Sequence, residues 1–173
     1  MRLLRSIATA AIAAMLPHAA SAGELPIRKA GLWEIKMTVA GVQTPPTMMQ
    51  HCTDASTDKE MASGVGPMSA DMCSRNEIEK TATGYVSNSV CTIAGKTSTT
   101  RAEFTGDFNS AYTVKVSSQS TGAPAGAPRD SIMAIDAKWM GACKSDQKAG
   151  DIVMPGGMKM NIKDLQALRG QKK

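Results

Sequence analysis

The side chains best suited to chemistry in this chain are methionine thioethers and one imidazole. Met48 lies shortly before His51, and Met154, Met158 and Met160 follow in a glycine-rich stretch of the tail. Thioethers are soft ligands that suit copper(I), so these five residues could form a copper(I) site. Methionine also fills irregular gaps in protein cores that are short of aromatic side chains. We favour packing and expect no cofactor, because Met48 and the methionine after it would point to opposite faces of a strand.

Residues that could carry out catalysis are few. His51 is the single histidine within residues 23–173, and it lies beside Cys52, which we expect to be oxidised. Gly95-Lys96-Thr97 has the ending of a phosphate-binding loop, but Val90 stands where that loop needs its first glycine. The carboxylates lie on predicted strands and turns, where solvated charges are common. We therefore predict a non-enzymatic protein without catalytic residues, and we rank a hydrolase-like activity last.

The N-terminus has the pattern of a cleaved secretory signal. Arg2 and Arg5 precede an alanine-rich apolar run over 6–16, and Ala20-Ser21-Ala22 supplies a small-residue cleavage site. The apolar run is shorter than the roughly 20 residues that a membrane-spanning helix needs. We predict that residues 1–22 are a signal peptide, and no cysteine near the cut offers a site for lipid attachment. The protein is then exported, not membrane-spanning, and not a lipoprotein.

The remaining chain, residues 23–173, has the length of one domain. Loss of the signal removes two arginines and no acidic residue, which lowers the net charge from +5 to +3. The basic residues are scattered and are not interleaved with aromatic ones, so the sequence does not favour nucleic acid as a partner. We expect instead an envelope protein or a small apolar ligand.

Disulfide bonds are the expected state of the four cysteines. An even number of cysteines in an exported protein predicts two disulfides, and a zinc site would need closer pairs such as C-x-x-C. If residues 81–83 form a hairpin loop, Cys73 and Cys91 lie directly opposite each other, within disulfide range. Cys52 and Cys143 are then left for each other.

Alternation of apolar and polar residues predicts a mainly β fold. A brief helix through about residue 61 follows Thr53-Asp54, residues 144–157 are irregular, and a short helix covers about 162–169 with Asn161 as N-cap. We expect a single antiparallel meander sheet, curved or partly closed like a barrel, packed by the C-terminal helix. Its strands are predicted over 31–39, 47–52, 73–80, 84–93, 97–105, 110–118 and 131–140.

The two tryptophans are predicted to be structural. Trp33 shares one face of its strand with Ile35, and Trp139 shares one face of the last strand with Ile135. Large aromatic side chains at alternating positions usually belong to the core. Glu34 would lie on the opposite face from Trp33.

Three short motifs resemble a bacterial family of exported proteins, the domain of unknown function 3617. They are Gly31-Leu32-Trp33-Glu34, Trp139-x-Gly141-x-Cys143, and the tail from Gly150-Asp151 to Met154-Pro155. The resemblance implies a periplasmic protein of a Gram-negative cell with no assigned activity, and it transfers no catalytic residue. Our leading hypothesis is a non-enzymatic binding or interaction module whose sheet offers an apolar groove to a ligand or to an envelope partner. Copper(I) binding is the alternative.

Overall fold

Nine antiparallel strands form one sheet in the computed structural model, which describes residues 24–62, 72–122, 129–164 and 167. The predicted signal, residues 1–22, lies outside this part of the chain. The sheet order is β3-β4-β5-β6-β7-β1-β2-β8-β9, so it contains a five-stranded meander whose last strand pairs with β1. The strands are β1 (Gly31–Val39), β2 (Thr47–Thr53), β3 (Cys73–Thr81), β4 (Gly84–Ile93), β5 (Lys96–Asp107), β6 (Ala111–Thr121), β7 (Asp130–Gly141), β8 (Asp151–Val153) and β9 (Lys159–Asn161).

The predicted single antiparallel sheet is confirmed, and it stays open. Its two edges are β3 and β9, which do not pair with each other. The long edge strand β3 carries charged side chains, namely Arg75, Glu77, Glu79 and Lys80. Charges on an edge strand discourage further strands from adding to the sheet.

The predicted register of the β3–β4 hairpin is wrong by one residue. Thr81 pairs with Gly84, so the turn contains two residues and not the three predicted. A bulge at Ser74 then shifts the register, which places Cys73 opposite Cys91 after all. An extra residue in one strand makes two residues oppose one, and this offsets the shorter turn.

The tail after β7 contains two short strands: β8 lies within the segment 144–157 that was predicted to be irregular, and β9 follows that segment. Strand β8 adds to β2, with His51 opposite Ile152, and β9 returns along β8. The amide of Gly150 also donates to the carbonyl of Cys52 at 2.8 Å. A strand of three residues is too short to show the alternation of apolar and polar side chains from which strands are predicted. The position of β8 is decided instead by its pairing with the free edge of β2.

Two helical segments flank the strands. Helix α1 (Ala55–Ala62) begins after Asp54, whose carboxylate accepts the Thr57 amide at 2.8 Å, as expected of an N-cap. Residues 162–164 and 167 are helical, and the Oδ1 of Asn161 accepts the Lys163 amide at 3.0 Å. The short helix near the C-terminus is therefore present, and the rest of its predicted range lies outside the described residues.

Two disulfides link parts of the sheet, in the pairing that the sequence suggested. Cys73–Cys91 joins β3 to β4 within one hairpin. Cys52–Cys143 joins β2 to the segment after β7 and spans 91 positions of sequence. No described cysteine is free.

The two disulfides should differ in their effect on stability. In the loop-entropy picture, a sequence separation of 18 stabilises by about 3 kcal/mol and one of 91 by about 4.5 kcal/mol. We expect Cys52→Ala/Cys143→Ala to lower the free energy of unfolding more than Cys73→Ala/Cys91→Ala does. Urea unfolding of both double variants measures this, and an equal or reversed loss would contradict it.

Candidate functional site

Apolar side chains of six neighbouring strands lie in three rows on one side of the sheet. The register places Val39 opposite Met133, Met133 opposite Val116, and Val116 opposite Ala102. Two further rows follow towards the start of β1, because every second residue of a strand points to the same side. We call this surface the apolar face, and its members are Val39, Met133, Val116 and Ala102; Met37, Ile135, Val114, Phe104 and Tyr85; and Met49, Ile35, Ala137 and Tyr112.

Most of the apolar face is only half-buried. Val114 and Ala137 are 5% and 3% exposed, whereas Val39 is 42% exposed and the other members are intermediate. In the described part of the chain, α1 packs on β2 and the strands pack chiefly on their neighbours within the sheet. A sheet normally buries its apolar side against a second layer. Here much of that side remains open to solvent.

Aromatic rings cover the lower end of the apolar face, near the start of β1. Trp33 is fully buried and lies 5.5 Å from Tyr112, measured between ring centroids. Phe108, from the β5–β6 turn, stacks on Tyr112 at 4.8 Å. Trp139 pairs with Trp33 across β1 and β7 but is half-buried, with the Lys29 ammonium 3.6 Å above its ring. The rings belong to the packing of this end, with Trp33 at its centre.

A buried ion pair lies beside these rings. The Arg28 guanidinium donates from Nε to Asp58 Oδ1 at 2.5 Å, and the Arg28 amide donates to Oδ2 at 2.6 Å. The same guanidinium contacts Tyr112 Oη at 3.3 Å and His51 Nδ1 at 3.0 Å. Both Arg28 and Asp58 are at least nine-tenths buried. The pair therefore joins the segment before β1 to α1 and to two strands.

His51 is neutral and protonated on Nε2. A guanidinium can only donate hydrogen bonds, so Nδ1 of His51 must be the acceptor and Nε2 carries the proton. The buried Nε2 has no hydrogen-bond partner among the described residues. Burial, and then the charge of Arg28, lowers the pKa of His51 to about 4. The imidazole thus acts as an acceptor in the packed end of the sheet and does not open to solvent.

The five residues proposed as copper ligands are not brought together as one set. His51 and Met49 lie on the apolar side of β2, whereas Met48 points to the other side. Met48 and Met154 share a cleft of about 270 Å³ with Glu34. Met160 lines a separate cleft at the tail, and Met158 is 60% exposed. Among the described residues, no group of three or more His, Cys, Asp or Glu side chains could hold a metal ion.

The opposite side of the sheet is charged, and we call it the charged face. Glu34 lies opposite Lys138, and Lys36 lies opposite Asp136, which also accepts a hydrogen bond from the Thr113 hydroxyl at 3.0 Å. These residues line a cleft of about 530 Å³. As predicted from the alternation, Glu34 and Trp33 point to opposite sides. This cleft therefore lies over the charged face of the sheet.

The motifs that the sequence analysis singled out converge at the packed end. Gly31 has a φ of +130°, and a Cβ there would collide with the carbonyl oxygen of Gly141 and approach the indole nitrogen of Trp139 to 2.7 Å. Cys52 is bonded to Cys143, and its carbonyl accepts the Gly150 amide. The motif residues are thus explained by close packing between β1, β7 and the tail.

Sequence reasoning missed the pair of Arg28 and Asp58. Neither residue lies in a strand, and a charged side chain outside the strands is ordinarily interpreted as solvated. The alternation of Tyr112 with Val114 and Val116 indicated only that this ring belongs to the apolar side of β6. It did not indicate that the guanidinium of Arg28 would pack beside the ring.

A family model described as "Protein of unknown function (DUF3617)" matches residues 28–143. The match runs from Arg28 to Cys143 and so includes the first two motifs, while the tail motif lies beyond it. No curated protein and no solved structure matches the chain. In the described part of the chain, no helix combines the length and the apolar character needed to cross a membrane.

Protonation of His51 should destabilise the fold. Its pKa is about 4 in the folded protein against 6.5 for an unperturbed histidine, so its contribution is complete above pH 6.5 and is lost as the pH falls towards 4. Between pH 7 and pH 4.5 the loss amounts to about 2 kcal/mol. We expect His51→Gln, which keeps an acceptor for Arg28, to lose less stability than the native protein over this interval.

Urea unfolding at the two pH values measures this difference. For each protein, the difference in the free energy of unfolding between the two pH values is taken, and these differences are compared. A cost of the substitution that is the same at both pH values then cancels. Parallel losses in the two proteins would contradict the assignment of a buried neutral imidazole.

Proposed function

The chain belongs to the DUF3617 family, and we propose that it is a non-enzymatic interaction module of the periplasm whose apolar face binds a partner protein. The predicted signal at residues 1–22 and the two disulfides support an exported location. The half-open apolar face is the observation that carries the proposal. An exposed apolar patch that is larger than a few hundred Å² marks an interaction surface on soluble proteins.

The shape of the surface favours a protein over a small ligand. Small-molecule sites are concave and mostly apolar. The clefts of about 530 and 270 Å³ lie over the charged face, and the cleft of about 450 Å³ at the tail is lined mainly by polar residues. The apolar face instead presents neighbouring rows of side chains across several strands. A protein partner with its own apolar surface can cover such rows.

The methionines of the apolar face fit this role. Met37, Met49 and Met133 contribute unbranched, flexible side chains to three different strands. Methionine adapts its shape to a partner and is common at binding surfaces for that reason. The unusual methionine content is then partly a property of the binding surface. The copper(I) alternative has less support. Of its five candidate ligands only Met48 and Met154 line a common cleft, and His51, Met158 and Met160 lie outside that cleft.

Site-specific photo-crosslinking tests the proposal. A photoreactive amino acid is placed at Met133 on the apolar face or at Ile132 on the charged face, in the chain exported by a Gram-negative cell. Ile132 is 59% exposed, so it is a neighbouring control that is at least as accessible. We expect crosslinks to a protein from position 133 and none, or far fewer, from position 132.

Two outcomes would contradict the proposal. Equal crosslinking from both positions would show that contact does not depend on the apolar face. Absence of protein crosslinks at position 133, together with a co-purifying apolar molecule in native mass spectrometry, would replace the protein partner with a small ligand.

A further inference from the structure

We propose that the partner of the apolar face is a second copy of this chain, and that two sheets pack face to face as a two-layer sandwich. This inference rests on the proposed function, since it names the protein that the apolar face binds. The single observation behind it is that one face of the sheet is uncharged over the whole patch and only half-buried. Three independent features of the sheet support a copy over another protein: charge, area and the character of the other surfaces.

Charge is the first feature. In a two-fold interface the same patch meets itself, so a charged residue near the axis would face its own copy. None of the thirteen members of the apolar face carries a charge, and these positions extend from β2 through β1, β7, β6 and β5 to β4. The next position of the middle row is Lys80, on the edge strand β3. The patch is therefore electrostatically compatible with itself.

Apart from Lys80, the border of the patch on the side of Val39 and towards β3 is uncharged as well. Ser131, Ser118, Thr100 and Ser89 form the next row across β7, β6, β5 and β4, and the hydroxyls of Thr100 and Ser118 are 2.9 Å apart. Ser87 and Ile78 continue the top row of the apolar face towards β3. A protein interface typically has an apolar centre and a polar rim that hydrogen-bonds to water or to the partner. These hydroxyls supply such a rim without any charge.

Area is the second feature. One residue on a sheet face occupies about 33 Å², from a strand spacing of about 4.8 Å and a repeat of about 6.8 Å along the strand. Val114, Ala137 and Tyr112 are already covered within the chain, so ten apolar positions and six rim positions remain, about 530 Å² on each copy. A pair of copies would bury about 1,060 Å², which is just above the roughly 1,000 Å² expected of a specific interface and below the usual range. The expected dimer is therefore weak and dissociates on dilution.

The charged face and the edge strand β3 do not offer an equivalent contact. The charged face would place Glu34, Lys36, Asp136 and Lys138 against another layer, with a large cost of desolvation. The edge strand β3 carries four charged residues, Arg75, Glu77, Glu79 and Lys80. Edge-to-edge addition through β3 is disfavoured for that reason. Face-to-face packing, with the two sheets about 10 Å apart, covers the apolar side chains and leaves the charged faces in solvent.

Sedimentation equilibrium of the exported, processed chain tests the inference. We expect a concentration-dependent monomer–dimer equilibrium for the native protein. Met133→Glu would place a carboxylate in the interface and should weaken dimerisation by about 100-fold or more. Ile132→Glu adds the same charge to the neighbouring residue on the charged face and should leave the dimer intact.

The native protein alone can overturn the inference, so the test does not depend on how well a variant folds. A monomer at the highest attainable concentration, about 1 mM, would exclude the dimer. A dimer that survives Met133→Glu but is lost in Ile132→Glu would place the contact on the other side. Near-ultraviolet circular dichroism of each variant checks that its fold is retained.

The two proposals fail in different ways. If the native protein is monomeric and the crosslinks from position 133 lead to a different protein, the proposed function stands and the second copy is excluded. If crosslinks from position 133 join two copies of the chain, both are supported. If the protein is monomeric and position 133 gives no protein crosslink, both are overturned.

Discussion

The guanidinium of Arg28 joins four parts of the chain at one buried point. It is paired with Asp58 on α1, contacts His51 on β2 and Tyr112 on β6, and lies 5.7 Å from the ring centre of Trp33 on β1. Loss of one partner from such a pair leaves an uncompensated buried charge, which typically costs 3–5 kcal/mol. The helix, the segment before β1 and the lower end of the sheet therefore depend on each other through this contact.

In the part of the chain that the structure describes, the strands pack chiefly on their neighbours within the sheet. The buried apolar residues described there are few: Leu32, Trp33, Cys52, Val86, Val114, Ala137 and Ile162. The two disulfides reinforce parts of the sheet on either side of its centre, one in the hairpin at the β3 edge and one between β2 and the segment after β7. Covalent links of this kind commonly stabilise exported domains whose hydrophobic core is limited.

The sequence predicted the strands well because the strands are long enough to show their alternation. The range 31–39 for β1 and 84–93 for β4 agree with the structure to the residue. The β3–β4 register shows the limit of this reasoning, since a shorter turn and a bulge at Ser74 cancel each other at the cysteines. Strands β8 and β9 and the Arg28–Asp58 pair depend on contacts between distant segments, and no local pattern records such contacts.

The two most buried members of the apolar face lie in the rows nearer Arg28, and its most exposed member lies in the last row. Beside the ion pair, Trp33 is fully buried and Ala137 is 3% exposed; in the next row, Val114 is 5% exposed, while Val39 in the last row is 42% exposed. Among the described residues, the segment before β1, α1 and the ring of Phe108 cover the apolar side at the end near Arg28. Burial of apolar surface lowers the free energy in proportion to the area removed from water. A partner therefore stabilises the complex most at the open end, where the side chains still have surface to bury. The packed end then holds the strands in a fixed register and twist, so the open rows form a rigid surface whose methionines can still adjust to a second layer.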